Sequence, residues 1–371
     1  MKIALVHDYI KEFGGAERVL RTLADMYPEA PIYTAFRVKN SKCDLVFKDR
    51  IIKESWLAPL LKIGRLYSPL RFLLPLVWRS FNLNEYDLVI TSASWYVTRG
   101  FRVGEKTKVV CYCHTPPRYL YGYETSVDLQ KYWPVKLYAM VVNHFLRLYD
   151  FWTVKSIDKW VVNSENVKRR VKKFYRVDAQ VIYPPVEVER LIKVSERVKK
   201  QDYFLYLGRL VGAKGIEEVV GAAEEIGFKL VVAGGSGSLS KVKKRIERLK
   251  KSRVEILGWI SDKKREKLFS EALGFLALAR DEDFGITPVE AMAAGTPVIA
   301  FNGGGFKESV VDGETGVLIN DTDIDTLKEA VERVKKTKWK KEVLQRQARK
   351  FSREVFEEKM KKVVNEIMRE K

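Results

Sequence analysis

Two carboxylates, Glu282 and Glu290, lie eight positions apart in the segment Glu-Asp-Phe-Gly-Ile-Thr-Pro-Val-Glu. The first follows an apolar run and is predicted to lie in a loop. The second falls in a predicted short helix, for which Thr287 is a suitable N-cap and Pro288 suits the first helical position. Because a helix N-terminus favours anionic groups such as phosphate, the segment predicts contact with a small anionic ligand. The spacing of Thr287 and Glu290 also fits a capping box, in which Glu290 only closes the helix end.

Two cations, Arg209 and Lys214, lie five positions apart in Gly-Arg-Leu-Val-Gly-Ala-Lys-Gly, between a predicted strand and a predicted helix. Arginine offers a planar fork to phosphate oxygens and lysine offers a point charge, so the pair suits a diphosphate. The alternative is two solvated surface cations, the usual place of Lys and Arg in a basic chain.

Glycine-containing loops follow several predicted strands, and glycine lets the backbone approach a ligand closely. The residues of interest in these loops are Gly14, Gly15 and Gly235, and a further glycine loop spans 303–305. Each loop could instead be a plain connection between elements. Trp259, which follows another predicted strand, could stack on a nucleobase or cover the core.

Cys111, Cys113 and His114 suggest a metal site, but zinc sites normally have a second ligand pair and none is evident in the sequence. We interpret the cysteines as buried strand residues and expect His114, at the end of that strand, to face a ligand. The acidic run 281–283 could bind Mg²⁺ beside a diphosphate. Because the two cations already offer compensating charge there, we expect no metal.

Apolar, β-branched runs alternate with helical stretches, which predicts parallel sheets covered by helices on both faces. Predicted strands are 3–7, 31–36, 88–92, 109–114, 160–163 and 181–183, then 203–207, 229–233, 254–257, 275–279, 298–301 and 316–319. Six strands in each half match two Rossmann-like, doubly wound α/β domains. The boundary is expected at the prolines 184 and 185, giving domains 1–185 and 186–351 and a last helix within 352–371.

The formal net charge of +20 suits nucleic acid, an anionic membrane surface or anionic sugar nucleotides as partners. Nucleic acid is not expected, because the cations are interleaved with acids and no nucleic-acid motif is present. Without a signal peptide or an apolar run of about 18 residues, we expect a cytoplasmic protein. Residues 53–79 mix Trp and Leu with five cations and one acid. This is typical of a surface resting on anionic lipid, or of two helices packed on the first sheet.

Taken in order, these motifs resemble those of the retaining GT-B glycosyltransferases of family 4, over essentially the whole chain. The matching segments are Gly-Gly-Ala-Glu at 14–17, His-Thr-Pro-Pro-Arg-Tyr at 114–119, Gly-Arg-Leu-x3-Lys-Gly at 208–215 and Glu-x7-Glu at 282–290. The resemblance implies two Rossmann-like domains facing an interdomain cleft, with the acceptor domain first and the nucleotide-sugar donor domain second. It also implies that the last helix crosses back onto the first domain.

The resemblance implies roles for the candidate residues as well. Glu282 would approach the transferred sugar and Glu290 would hydrogen-bond the ribose. Arg209 and Lys214 would neutralise the departing diphosphate, and His114 would lie near the donor sugar. Further contacts to the sugar nucleotide are implied for Gly14, Gly15, Gly235, Trp259, Gly285, Ile286 and Thr287.

The activity implied by the resemblance is α-mannosyl transfer from GDP-mannose to a hydroxyl of a saccharide or lipid-linked acceptor. A transferase using UDP-glucose or another UDP-hexose is the nearest alternative, and a nucleotide-sugar epimerase is a second. A basic nucleic-acid-binding protein is the non-enzymatic alternative, and steep salt dependence of binding would distinguish it.

Overall fold

The computed structural model describes residues 1–63, 66–123, 133–235, 246–248 and 252–369. Gly64 and Arg65, which belong to the segment 53–79, lie outside the described residues. The chain forms two compact units, Met1–Pro185 with Phe356–Lys371, and Val186–Val355. Each unit contains one parallel sheet, so the predicted doubly wound α/β architecture is confirmed.

The first unit has a sheet of seven described strands in the order β3-β2-β1-β4-β5-β6-β7. They are β1 Ile3–His7, β2 Ile32–Thr34, β3 Ile52–Glu54, β4 Leu88–Ala93, β5 Lys108–Cys113, β6 Lys159–Val162 and β7 Gln180–Val181. Its helices include α1 Gly15–Met26, α2 Lys42–Val46, α3 Ala58–Leu61, α4 Leu74–Arg79, α5 Trp133–Trp152 and α6 Glu165–Tyr175. The central strands β1, β4 and β5 are buried along nearly their whole length, because they are covered on both faces.

The second unit has a sheet of six described strands in the order β10-β9-β8-β11-β12-β13. They are β8 Phe204–Leu207, β9 Leu230–Ala233, β10 Val254–Gly258, β11 Gly274–Ala277, β12 Val298–Phe301 and β13 Gly316–Ile319. Its helices include α7 Val188–Ser195, α8 Ile216–Ile226, α9 Asp262–Glu271, α10 Ile286–Ala293, α11 Phe306–Ser309, α12 Ile324–Lys336 and α13 Lys341–Arg349. The described strands of both sheets pair in parallel, as their apolar runs predict.

Every predicted strand is present, with bounds that differ by at most two residues. The strand β3 was not predicted. It has only three residues, Ile52–Glu54, and its central residue is charged, so neither an apolar run nor an alternation indicates it.

The last helix, α14 Arg353–Arg369, buries one side in the core of the first unit. The buried side chains are Phe356, Met360, Val363, Val364 and Ile367, a spacing that places them on one face. The ring of Phe356 lies edge-on to Tyr112 of β5, with centroids 5.7 Å apart. Among the described helices, none is long and apolar enough to cross a membrane.

Strand order reverses once in each sheet, between β1 and β4 and between β8 and β11. The connections leaving neighbouring strands at such a point run to opposite faces, which opens a crevice at the carboxyl ends of the strands. The loops that leave β1, β8 and β11 contain the Gly14–Gly15, Arg209–Lys214 and Glu282 motifs. The fold therefore places three predicted motifs where doubly wound sheets bind ligands.

Candidate functional site

In the second unit, the loop after β8 meets the loop after β11. The ammonium group of Lys214 donates a hydrogen bond to the carboxylate of Glu282. Gly215 has a φ of +71°, and a Cβ there would lie 2.7 Å from the Leu278 Cβ, so only glycine allows this close approach. The cation and the carboxylate, predicted from two separate motifs, thus form one ion pair.

Tyr206 holds the loop that contains both cations. Its hydroxyl lies 3.3 Å from the carbonyl oxygen of Arg209 and 3.5 Å from that of Lys214. Burial raises the pKa of Tyr206, which keeps the hydroxyl protonated as a donor. The Arg209 side chain itself is exposed. Tyr206 was missed by the sequence reasoning, and its only signal was a polar tip near the end of an apolar strand.

The glycine loops after β8, β9 and β10 pack backbone against backbone. A Cβ on Gly234, whose φ is +137°, would lie 1.8 Å from the carbonyl oxygen of Gly208. Gly234 N donates to Gly258 O at 2.7 Å, and Leu210 N donates to Gly235 O at 3.1 Å. These contacts explain the glycines structurally, and ligand contact by Gly235 stays a prediction.

Trp259 follows β10 directly and is 62% exposed. This exposure contradicts the alternative that Trp259 covers the core. Stacking of its ring on a base stays a prediction.

The helix α10 begins differently from the prediction. It starts at Ile286 with Gly285 as the N-cap, so Thr287 is not the N-cap and the proposed capping box with Glu290 is wrong. Gly285 has a φ of +86°, and a Cβ there would lie 2.4 Å from the Phe306 ring. The left-handed glycine turns the chain into the helix earlier than the Thr-Pro pair suggested, so Glu290 lies in the second turn.

The two carboxylates of the Glu-x7-Glu segment have different surroundings. Glu290 is 2% exposed, and its Oε1 lies 3.4 Å from Arg265 Nη1 of α9. Glu282 lies in a loop, and its backbone carbonyl oxygen accepts a hydrogen bond from Gly305 N at 2.9 Å. A Cβ on Gly304 would lie 2.4 Å from that same carbonyl oxygen. The glycine run after β12, Gly303–Gly305, therefore fixes the backbone that presents Glu282.

In the first unit, a polar chain joins the carboxyl ends of β1, β4 and β5. His7 Nδ1 lies 3.1 Å from Ser92 Oγ, which lies 2.8 Å from His114 Nε2. On its other side, His7 Nε2 lies 3.6 Å from Glu17 Oε1, and Glu17 Oε2 accepts from Gly14 N at 2.8 Å. The structure thus connects the Gly14–Gly15 loop with His114.

The sequence reasoning missed His7 and Ser92. Both are polar residues in the last two positions of apolar strands. Their adjacency to His114 depends on the sheet order, which residue types do not reveal. Asn163 Nδ2 in addition donates to the His114 carbonyl at 2.9 Å. Cys111 and Cys113 are both buried in β5, as interpreted.

Burial disfavours the charged form of His7, but the negative charges of the nearby Glu17 and Asp8 carboxylates outweigh that effect. The pKa of His7 is therefore raised. The folded state binds the His7 proton more tightly than the unfolded state does. The resulting stabilisation is complete below the unfolded pKa of about 6.5 and is lost as pH rises through the folded pKa.

We predict that Glu17→Gln lowers the pKa of His7, measured by proton NMR of the imidazole resonances. The substitution should destabilise the first unit near pH 6 by about 1.4 kcal/mol for each unit by which the pKa falls, and by less near pH 9. Glu12→Gln, at an exposed position in the same loop, is the control. An unchanged His7 pKa in Glu17→Gln would contradict the contact.

Family models and known proteins resemble this chain on both sides of the unit boundary. The model described as glycosyltransferase family 4 matches residues 13–190, and that of glycosyl transferases group 1 matches residues 187–351. An uncharacterized glycosyltransferase of Methanocaldococcus jannaschii is 29% identical over 47% of this chain and 48% of its own length. The match with that relative therefore spans about half of its length.

Two further proteins match over almost the whole chain. Alpha-1,3/1,6-mannosyltransferase ALG2 of Candida albicans is 26% identical, over 93% of this chain and 90% of its own length. The structure of Anabaena HepE in complex with UDP superposes with a TM-score of 0.67, at 17% identity, over 99% of this chain and 100% of that one. This likeness shows a shared GT-B fold. The two family models overlap at residues 187–190 and together reach from residue 13 to residue 351, so the chain belongs to the family 4 glycosyltransferases.

Proposed function

We propose that this protein is a retaining glycosyltransferase that moves a hexose from a sugar nucleotide to a hydroxyl of a saccharide or lipid-linked acceptor. The observation that carries the proposal is the Lys214–Glu282 ion pair, with Arg209 in the same loop as Lys214, at the reversal of strand order in the second unit. It combines cations suited to a diphosphate with a carboxylate suited to a sugar.

In this proposal the two cations stabilise the leaving diphosphate. A lysine ammonium has three donors, so Lys214 can bind a phosphate oxygen while it keeps Glu282. The exposed guanidinium of Arg209 offers a second, bidentate partner. Donors held in place before the reaction stabilise the growing negative charge without reorganisation. The proposal therefore needs no metal ion, and metal independence stays a prediction.

Glu282 is assigned to the transferred sugar and the buried Glu290 to the ribose. Retaining glycosidases use two carboxylates about 5 Å apart, one as nucleophile and one as acid and base. Because Glu290 is assigned to the ribose and lies at Arg265, the proposal does not use a pair of catalytic carboxylates. The bond from the anomeric carbon to the phosphate oxygen breaks, and the acceptor oxygen bonds to that carbon on the same face. A phosphate oxygen takes the acceptor's proton.

The remaining predicted residues are assigned to ligand contact in their own unit. In the second unit, Gly235, Trp259 and the start of α10 (285–287) contact the nucleotide. In the first unit, the Gly14–Gly15 loop and His114 contact a ligand, and His7 and Ser92 fix the orientation of the His114 ring through the contacts described above.

The favoured donor is GDP-mannose, because the Candida relative is named a mannosyltransferase. A UDP-hexose is the alternative, because the HepE structure, of the same fold, contains UDP. The candidate residues of this chain that face phosphate and sugar suit both donors, so the base must be determined by binding.

We expect calorimetric titration to show tighter binding of GDP than of UDP, and Arg209→Ala to weaken GDP binding by at least about tenfold through loss of a charge-assisted bidentate contact. Arg253→Ala is the control. Arg253 is exposed and precedes β10, so it lies at the amino end of that strand, away from the carboxyl ends where the candidate residues lie. Tighter binding of UDP than of GDP would favour a UDP-hexose as the donor over GDP-mannose. Absence of binding by either nucleotide would contradict the proposed function.

We predict that Glu282→Gln separates binding from turnover. Removal of its negative charge releases Lys214 for the phosphate, so nucleotide affinity should hold or increase. The rate constant kcat should fall at least about 100-fold, the usual size for loss of a group that stabilises the transition state. Steady-state kinetics with a titration of the same sample measures both. A loss of nucleotide affinity with unchanged kcat would contradict the assignment to the sugar.

A further inference from the structure

The helix α5 turns two polar side chains, Asn143 and Asp150, toward the domain. It has 20 residues, and its buried positions are Ala139, Asn143, Leu146 and Asp150. These positions follow the three- and four-residue spacing of a single helix face. An amphipathic surface helix normally buries its apolar side, whereas two of these four residues are polar.

Polar bonds fix this inward side to the domain. Asn143 Nδ2 donates to the Tyr119 carbonyl at 3.1 Å. Asp150 forms an ion pair with the buried Arg99 and accepts from the Tyr121 hydroxyl at 2.6 Å. Turning the helix over would leave Arg99 as a buried uncompensated charge, which is costly, so the orientation of α5 is set by these contacts.

The outward side of α5 is therefore mostly apolar and exposed to solvent, and its exposed polar side chains are Lys136, His144 and Arg147. We call this set of side chains the α5 outer face, and each is between 44% and 76% exposed: Trp133, Leu137, Met140, Val141, Phe145, Leu148, Phe151 and Trp152. A helix of this length extends about 30 Å. Contiguous exposed apolar surface of such size marks an interaction site.

The predicted lipid-facing segment 53–79 adjoins α5. The Tyr138 hydroxyl donates to the Pro69 carbonyl, and the Arg71 guanidinium lies 5.7 Å from the Tyr138 ring centroid. Large apolar side chains of this segment are exposed too: Trp56, Leu60, Ile63, Leu66, Phe72 and Leu76. The segment therefore packs on the first sheet, as one of its two interpretations predicts, and also exposes apolar surface. Contact of that surface with lipid stays a prediction.

The charges of this region are positive. The single acid of α5 is Asp150, which is buried in its ion pair, whereas Lys136 and Arg147 are exposed. The sequence 66–79 contains Arg71 and Arg79 and no acid. A second copy of the chain would bring like charges to the same surface. Anionic lipid headgroups would complement these cations, and Trp side chains suit the boundary between headgroups and acyl chains.

We propose that the α5 outer face, together with the exposed apolar side chains of residues 56–76, docks on the surface of an anionic lipid bilayer. The helix lies in the plane of the interface, because its inner side remains bonded to the domain. The proposal concerns the partner of the first unit and does not depend on the identity of the sugar donor.

Co-sedimentation with lipid vesicles tests this inference. Wild-type protein should bind vesicles of phosphatidylcholine mixed with phosphatidylglycerol more strongly than phosphatidylcholine alone, and salt should weaken the binding. Leu137→Gln with Leu148→Gln should weaken partitioning at least about tenfold, since two apolar side chains no longer enter the interface. The control is Leu45→Gln with Ile51→Gln, a pair of similar exposure on the same unit but outside this surface.

Wild-type binding that the Leu137/Leu148 pair leaves unchanged would overturn the proposal, as would absence of binding to both vesicles. Sedimentation velocity without lipid tests whether a second copy of the chain covers this surface instead. A dimer that the same pair dissociates would assign the surface to a second copy and overturn lipid docking. Thermal melting of each variant confirms that it is folded.

Quenching of tryptophan fluorescence by brominated phospholipids tests whether α5 itself enters the lipid interface. Trp133→Phe with Trp152→Phe keeps the surface apolar, so vesicle binding should persist while quenching of tryptophan fluorescence decreases. Undiminished quenching in this variant would show that α5 does not enter the interface and would overturn its part in docking.

Discussion

The single reversal of strand order in each parallel sheet determines where chemistry is possible in this protein. Carboxyl ends of parallel strands share one edge, and connections diverge only where the order reverses. At β8 and β11 this constraint brings Lys214 against Glu282. At β1 and β4 it brings His7 against Ser92, and β5 adds His114. The glycines follow from the same crowding, because Gly215, Gly234 and Gly304 lie where a Cβ would overlap a neighbouring loop.

Both groups of candidate residues compensate their charges within their own unit. Lys214 neutralises Glu282, and Glu17 lies beside His7 while its second oxygen binds Gly14 N. Such contacts hold side chains in place before a ligand arrives, which reduces reorganisation when charge develops. Glu290 is buried against Arg265 and suits a fixed binding contact, whereas Glu282 is held by a partner that can also bind phosphate.

The chain's residues predicted most of the fold, because each buried parallel strand is an apolar run. They also predicted the residues of the Lys214–Glu282 pair, although through family resemblance and not as a contact. The Thr287 N-cap was wrong because a left-handed glycine at 285 competes with a Thr-Pro start. His7 and Ser92 could not be found, since their contact with His114 depends on the order of strands. The outer side of α5 was missed because exposed and buried apolar faces are alike in sequence.

Retention of configuration tests the central claim of same-face transfer by this site most directly. Proton NMR of the first glycoside formed from an α-linked sugar nucleotide reports the anomeric configuration before any equilibration. We predict an α-linked product, formed by wild type and strongly slowed in Glu282→Gln. A β-linked product would contradict the retaining mechanism, and turnover of no sugar nucleotide would contradict the proposed activity.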